Sequence, residues 1–97
     1  MTTVRLTLLT AEGCRLTLLT AEGCHYCAHA REVLATLGKE WALEVEEIPL
    51  HSAEGSRRAL RDGIVFPPGL YVNDALFGYG RLSEGKLRRR LTEVSAP

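Results

Sequence analysis

The sequence lacks an excess of charge, a long apolar run and a signal segment. Lys and Arg together number 12, and Asp and Glu together number 12, so no long-range field attracts nucleic acid or an anionic membrane. No apolar run approaches the ~20 residues that cross a bilayer, and the N-terminus has no basic segment followed by an apolar stretch. We therefore expect a cytoplasmic protein without a nucleic-acid or membrane partner.

Cysteine is also scarce. Cys14, Cys24 and Cys27 make a poor disulfide framework, and a reducing cytosol keeps most thiols free. The close pair Cys24 and Cys27 therefore favours catalysis or metal binding over a structural disulfide. The 97 residues fit one domain with one core, since chains divide into several domains at much greater length.

A ten-residue segment is present twice: residues 5–14 (RLTLLTAEGC) recur unchanged at 15–24. A solenoid needs at least three copies with periods of roughly 20 to 50 residues, so this is a single tandem duplication. Only the second copy leads directly into His25, and we interpret it as the native one. We expect residues 1–14 to be a flexible extension in which Cys14 has no function, and residues 15–97 to form the domain. We expect a monomer; the alternative is pairing or swapping through the duplicated strand.

The first half of the domain predicts a strand, a helix and a second strand. Residues 16–20 are short and apolar, and apolar positions keep helical spacing from 25 to 37, where Gly38 suits a left-handed C-terminal cap. Residues 41–50 alternate loosely, with glutamates typical of an edge strand.

The second half predicts a helix, a hairpin and a last helix. Residues 52–62 form the helix, ended by Gly63, and residues 70–72 and 75–77 form a hairpin through Asn73 and Asp74. Ser83 caps the last helix, which has one apolar face of Leu87, Leu91 and Val94. The order β-α-β-α-β-β-α predicts a three-layer α/β/α fold around a four-stranded mixed sheet.

Cys24-His25-Tyr26-Cys27 lies where the predicted first strand meets the first helix. Unpaired amides and the dipole at a helix N-terminus stabilise an anion, so the Cys24 thiolate is favoured and Cys24 is the predicted nucleophile. Cys27 lies one turn further into the helix, where it can resolve a mixed disulfide. An imidazolium at His25 would favour the thiolate further.

The alternative is a metal or iron–sulfur carrier that uses the same cysteines. His25, His29 or Cys14 would have to add ligands, because no second Cys-X-X-Cys is present. We therefore assign no metal site. Haem attachment is excluded, since Ala28 stands where a histidine would be needed.

Three patches resemble the thioredoxin superfamily. Residues 20–27 (TAEGCHYC) are similar to the active-site turn of glutaredoxins, where Tyr is common before the second cysteine. Residues 66–72 (FPPGLYV) resemble the cis-proline loop, with the cis residue at Pro68, and residues 80–87 (GRLSEGKL) resemble the segment that leads into the last helix of thioredoxins.

The resemblance implies a thioredoxin-like fold and a thiol–disulfide oxidoreductase that reduces protein or low-molecular-weight disulfides through catalytic Cys24 and Cys27. It assigns substrate positioning to His25, Tyr26, Pro67 and Pro68. No bound cofactor is expected; the expected partners are disulfide substrates and an electron donor, either glutathione as a co-substrate or a reductase.

The chain also departs from both subfamilies, which leaves the electron donor open. Gly23 stands where thioredoxins carry tryptophan, and Leu18 stands where they bury an aspartate. The turn lacks the basic residue that glutaredoxins have before the first cysteine, and Ser83 and Glu84 replace their acidic pair.

Overall fold

The computed structural model describes residues 14–95, which form four strands and three helices. The predicted order β-α-β-α-β-β-α is confirmed. The elements are β1 (Cys14–Thr20), α1 (His25–Leu37), β2 (Leu43–Pro49), α2 (Ala53–Asp62), β3 (Gly69–Val72), β4 (Ala75–Tyr79) and α3 (Glu84–Ser95). Within residues 14–95, no helix combines the length and apolar character that a membrane span requires.

The strands form one mixed sheet in the order β2-β1-β3-β4. β1 runs parallel to β2 and antiparallel to β3, and β3 and β4 are antiparallel. β2 is an edge strand, as its exposed glutamates predict. A four-stranded mixed sheet with helices on both faces is the predicted fold class.

β1 is buried on both faces, and its alternate residues supply two separate cores. Leu16 and Leu18 belong to a cluster that α1 and α3 cover, whereas Leu19 belongs to a smaller cluster on the face of α2. Period-two alternation along a strand places neighbouring side chains on opposite faces. The sheet is therefore the middle of three layers.

The strand before α1 comes from the second copy of the duplicated segment, as predicted. β1 begins at Cys14, however, one residue inside the expected extension, and Cys14 is only 2% exposed. The first residue of the strand is thus the last residue of the first copy. The expectation of a flexible extension otherwise concerns residues outside those that the structure describes.

Two of the predicted helix features are wrong. Gly38 has φ −64° and not a left-handed conformation, because the chain continues in a right-handed turn while its amide donates to the carbonyl oxygen of Leu34. Val94 is 40% exposed, so the buried face of α3 consists of Leu87 and Leu91. Helical spacing places Val94 near Leu87 and Leu91 but could not show that the last turn of α3 is exposed.

The turns agree with the sequence. Ser52 and Ser83 cap α2 and α3, each accepting a backbone N–H three residues on, and Gly63 ends α2 with φ 71°. Asn73 and Asp74 both have positive φ, which is the geometry of the two-residue hairpin turn that favours these residues.

Candidate functional site

The turn between β1 and α1 presents the first cysteine. Gly23 has φ +70°, a conformation that L side chains rarely adopt. This explains why a glycine stands where thioredoxins carry tryptophan: the turn of this chain uses a backbone angle that a bulky residue would strain. Cys24 follows as the N-cap of α1, and its carbonyl oxygen accepts the helical hydrogen bond from Ala28.

The two sulfurs of the motif have different surroundings. The amide of Cys27 donates to Sγ of Cys24 at 3.1 Å, which is the contact that an N-cap side chain makes with the first turn of a helix. Cys24 is partly exposed, whereas Cys27 is fully buried. Both thiols are free in this structure. The arrangement presents one sulfur to solvent and keeps the second behind it.

Burial raises the pKa of the Cys27 thiol to about 11, and its hydrogen bond with Cys24 acts in the same direction. The positive charge of Arg31 acts the other way. Because the thiolate and not the thiol is the nucleophilic form of cysteine, Cys27 is held in its unreactive form.

The proline loop lies directly against Cys24. Sγ of Cys24 is 3.9 Å from the carbonyl oxygen of Pro67, and the peptide bond between Pro67 and Pro68 is cis. The residue that faces the sulfur thus offers only an acceptor, since proline has no N–H. A peptide laid along this loop would have to donate to the Pro67 carbonyl.

Exposed side chains lie on the segments that adjoin Cys24. His25 and Tyr26 occupy the first turn of α1 and are both exposed, Tyr26 to 44%. Phe66, just before the proline loop, meets Tyr79 of β4 edge to face, with ring centroids 5.3 Å apart. The Tyr79 ring is 43% exposed, so this pair lies at the surface. Exposed apolar surface of this kind is typical of an interaction surface.

An ion pair that was not predicted from the sequence lies beside the motif. Arg31, one helical turn beyond Cys27, binds Glu47 of β2 through two hydrogen bonds of 2.9 Å. Arg31 holds the pKa of Glu47 below its ordinary value. Glu47 is the register partner of Leu18, so a carboxylate stands on the strand beside the position where thioredoxins bury one. The spacing of Cys27 and Arg31 was the available signal.

The residues suggested as extra metal ligands do not converge. Cys14 begins β1 and Cys24 follows its other end, and a strand of this length spans ~20 Å. Nε2 of His29 instead lies 3.2 Å from the carbonyl oxygen of Leu82, so His29 links α1 to the segment before α3. In the described part of the chain, no group of three or more His, Cys, Asp or Glu residues could hold a metal ion.

A curated relative has a similar sequence. A probable thioredoxin of Archaeoglobus fulgidus is 32% identical over 69 residues, which are 71% of this chain and 76% of the relative. The chain belongs to the thioredoxin superfamily. No model of a protein family matches the sequence.

Solved structures of the family share the fold. A thioredoxin variant from Halobacterium salinarum superposes with a TM-score of 0.63 at 17% identity, covering 87% of this chain and 76% of the other. A malaria-parasite thioredoxin-2 superposes with a TM-score of 0.55 at 14% identity, covering 92% of this chain and 99% of the other. The resemblance inferred from the three sequence patches is therefore confirmed at the level of superfamily and fold.

Proposed function

We propose that the chain is a thiol–disulfide oxidoreductase that reduces protein or low-molecular-weight disulfides through Cys24 and Cys27. The observation that carries the proposal is the unequal pair: a partly exposed Sγ at a helix N-cap with a buried thiol one turn behind it. Membership of the thioredoxin superfamily supports the same chemistry.

The proposed reaction has two steps. The Cys24 thiolate attacks one sulfur of the substrate disulfide, which forms a mixed disulfide and releases the other sulfur as a thiolate that takes up a proton. Cys27 then loses its proton and attacks Sγ of Cys24, which releases the second substrate thiol and leaves a Cys24–Cys27 disulfide. The substrate gains two electrons and two protons, and the dithiol is oxidised.

The surroundings of Cys24 support a role in substrate positioning for the residues that the sequence analysis named. Tyr26 offers an exposed apolar ring, and the Pro67 carbonyl oxygen faces the reacting sulfur. Pro68 holds that carbonyl in place through the loop that leads into β3, and His25 begins the helix beside the nucleophile. A bound disulfide would contact these four residues beside Cys24.

Reduction of insulin disulfides by the pre-reduced chain tests the proposal. We expect turnover with dithiothreitol as the reductant, and loss of turnover in Cys24→Ser. Cys14→Ser is the matched control, because Cys14 is the remaining thiol and is buried at the far end of β1. Equal activity in Cys24→Ser and the unaltered chain would refute the proposal.

The electron donor is a second, separable part of the proposal. We expect either glutathione with glutathione reductase or thioredoxin reductase to sustain turnover, with NADPH oxidation as the readout. The alternative of a metal or iron–sulfur carrier is tested on the same preparation: bound metal or visible absorbance in protein purified without added metal, together with no insulin reduction, would favour it.

A further inference from the structure

A groove separate from the dithiol lies between β4 and α3. It encloses about 410 Å³, within the range of about 300–1,000 Å³ that small-molecule sites occupy. Phe77 and Gly78 are half-buried and form its accessible apolar wall, above the buried Leu18 and Leu70. The exposed Arg81, Lys86 and Arg89 stand on its rim. Neither Cys24 nor Cys27 lines it, whereas Pro68 does.

Gly78, a half-buried residue of β4 that lines the groove, has no side chain to fill it. Gly78 is the register partner of Leu70, so both residues face the layer of α1 and α3. A Cβ added at Gly78 would meet no atom within 4 Å, whereas one at Gly69 or Gly80 would press against the side chain of Ile64 or Phe66. The strand therefore omits a side chain at the point where the groove is open.

The rim of the groove carries cations without counterions, although the chain as a whole has no net charge. Elsewhere in residues 14–95, five arginines pair with carboxylates; these are Arg15, Arg31, Arg58, Arg61 and Arg88. Within the same range Arg81, Lys86 and Arg89 have no carboxylate within 4.0 Å. The carboxylate that lines the groove, Glu93, lies 4.0 Å from Arg90.

We propose that this groove binds a compact carboxylate with an apolar tail. The tail covers Phe77 and fills the open space over Gly78, and the carboxylate binds the cations of the rim. Arg90 lies 5.3 Å from the centre of the Phe77 ring, so a cation and an apolar surface are adjacent at the point where head and tail would join. The site goes beyond the proposed dithiol chemistry, because a glutathione sulfur reacting at Cys24 would not lie in it.

The volume sets the size of the ligand. At ~30 Å³ for an atom the size of a water molecule, 410 Å³ holds roughly a dozen non-hydrogen atoms. Octanoate matches this size and has one carboxylate at the end of an apolar chain. Acetate has only the head group, and 1-octanol has a similar tail without the charge, so the three compounds separate the two parts of the site.

Titration of the reduced, full-length ¹⁵N-labelled chain with these three compounds tests the proposal by NMR. We expect saturable shifts of the Gly78, Leu82 and Arg89 amides with octanoate, and affinity at least about tenfold lower for 1-octanol, which lacks the charge-assisted hydrogen bonds. If acetate bound as tightly as octanoate, the rim cations would be a non-specific anion site and the proposal would be overturned. Equal binding of 1-octanol, or no saturable octanoate binding, would also overturn it.

Two variants locate the ligand. Gly78→Val fills the open space without changing any charge and should abolish octanoate binding, and the double variant Lys86→Gln, Arg89→Gln should weaken it by about tenfold or more. Arg57→Gln, which removes an exposed cation from α2 on the opposite face of the sheet, is the matched control and should bind normally. Thermal unfolding of each free variant checks the fold, and unchanged binding in a folded Gly78→Val or double variant would contradict the placement.

Discussion

The reaction of the three cysteines with iodoacetamide can be predicted in detail from their surroundings. Cys24 is partly exposed and accepts a hydrogen bond from the Cys27 amide, whereas Cys27 is fully buried and has a pKa of about 11. Because the thiolate is the reactive form, we expect the reduced chain to be alkylated first at Cys24, at every pH from about 6 to 9.

The magnitude follows from the pKa of Cys27. A rise from the ordinary 9.0 to about 11 leaves about 100-fold less thiolate at pH 8, since each pH unit is a factor of ten. Burial adds a further barrier to the reagent. Cys27 should therefore react at least about 100-fold more slowly than an unhindered cysteine, and its rate should still be rising at pH 10.

Tryptic digestion after a single-hit reaction gives a direct assay. Cleavage at Arg5, Arg15 and Arg31 places Cys14 in one peptide and the Cys24–Cys27 pair in another, and fragmentation then assigns each label. The unfolded chain is the control, in which all three cysteines should react alike. Labelling of Cys27 as fast as Cys24, or a midpoint for Cys27 near 9, would refute the assigned roles.

Three further predictions concern the support of the site. Arg31→Gln removes a positive charge that lowers the pKa of Cys27, so it should slow release of a mixed disulfide, measured by stopped flow, more than it slows formation of the mixed disulfide, because Arg31 interacts less with Cys24 than with Cys27. Gly55→Ala should destabilise the chain by ~1–3 kcal/mol in urea unfolding, because a Cβ there would overlap backbone carbonyl oxygens before α2, whereas Gly85→Ala meets open space and should stabilise α3 by up to ~1 kcal/mol. Deletion of residues 5–14 should leave turnover intact and the melting temperature within about 4 °C of that of the full chain. The deletion joins Val4 to Arg15, so an apolar residue takes the place of the buried Cys14 at the start of β1.

Each of these three has an outcome against it. If Arg31→Gln slowed the formation and the release of the mixed disulfide equally, its effect would be a general structural one. Arg31→Lys keeps the positive charge and should restore the release rate. A neutral Gly55→Ala would show that α2 can move away from the end of β2. Loss of folding on deletion would mean that the second copy alone does not supply the strand.

The elements of the fold were predictable because local chemistry and long-range packing agree. The helix 25–37 was located by apolar spacing, and the hairpin by an Asn-Asp pair, which tolerates the positive φ that both residues adopt. Gly63 caps α2 in the left-handed conformation as expected, but Gly38 does not. Glycine permits the left-handed conformation without requiring it, so the right-handed turn that follows α1 determines the backbone angle of Gly38.

The candidate site was only partly predictable. Cys24 and Cys27 could be found because four neighbouring residues carry the chemistry, and the proline loop could be found by resemblance. The pair of Arg31 and Glu47 depends on the register of β2 against β1, which no local pattern determines. The groove over Gly78 depends on how α3 lies across β4, and a glycine in a strand does not by itself indicate a cavity.

The central claim is that Cys24 attacks and Cys27 resolves. Incubation of the Cys27→Ser and Cys24→Ser variants with a disulfide substrate, followed by non-reducing mass spectrometry, tests it most directly. The account predicts that Cys27→Ser accumulates a mixed disulfide on Cys24, since the second thiol is missing, and that Cys24→Ser accumulates none, since the buried Cys27 remains a thiol. Equal accumulation in both variants, or accumulation in Cys24→Ser alone, would contradict it.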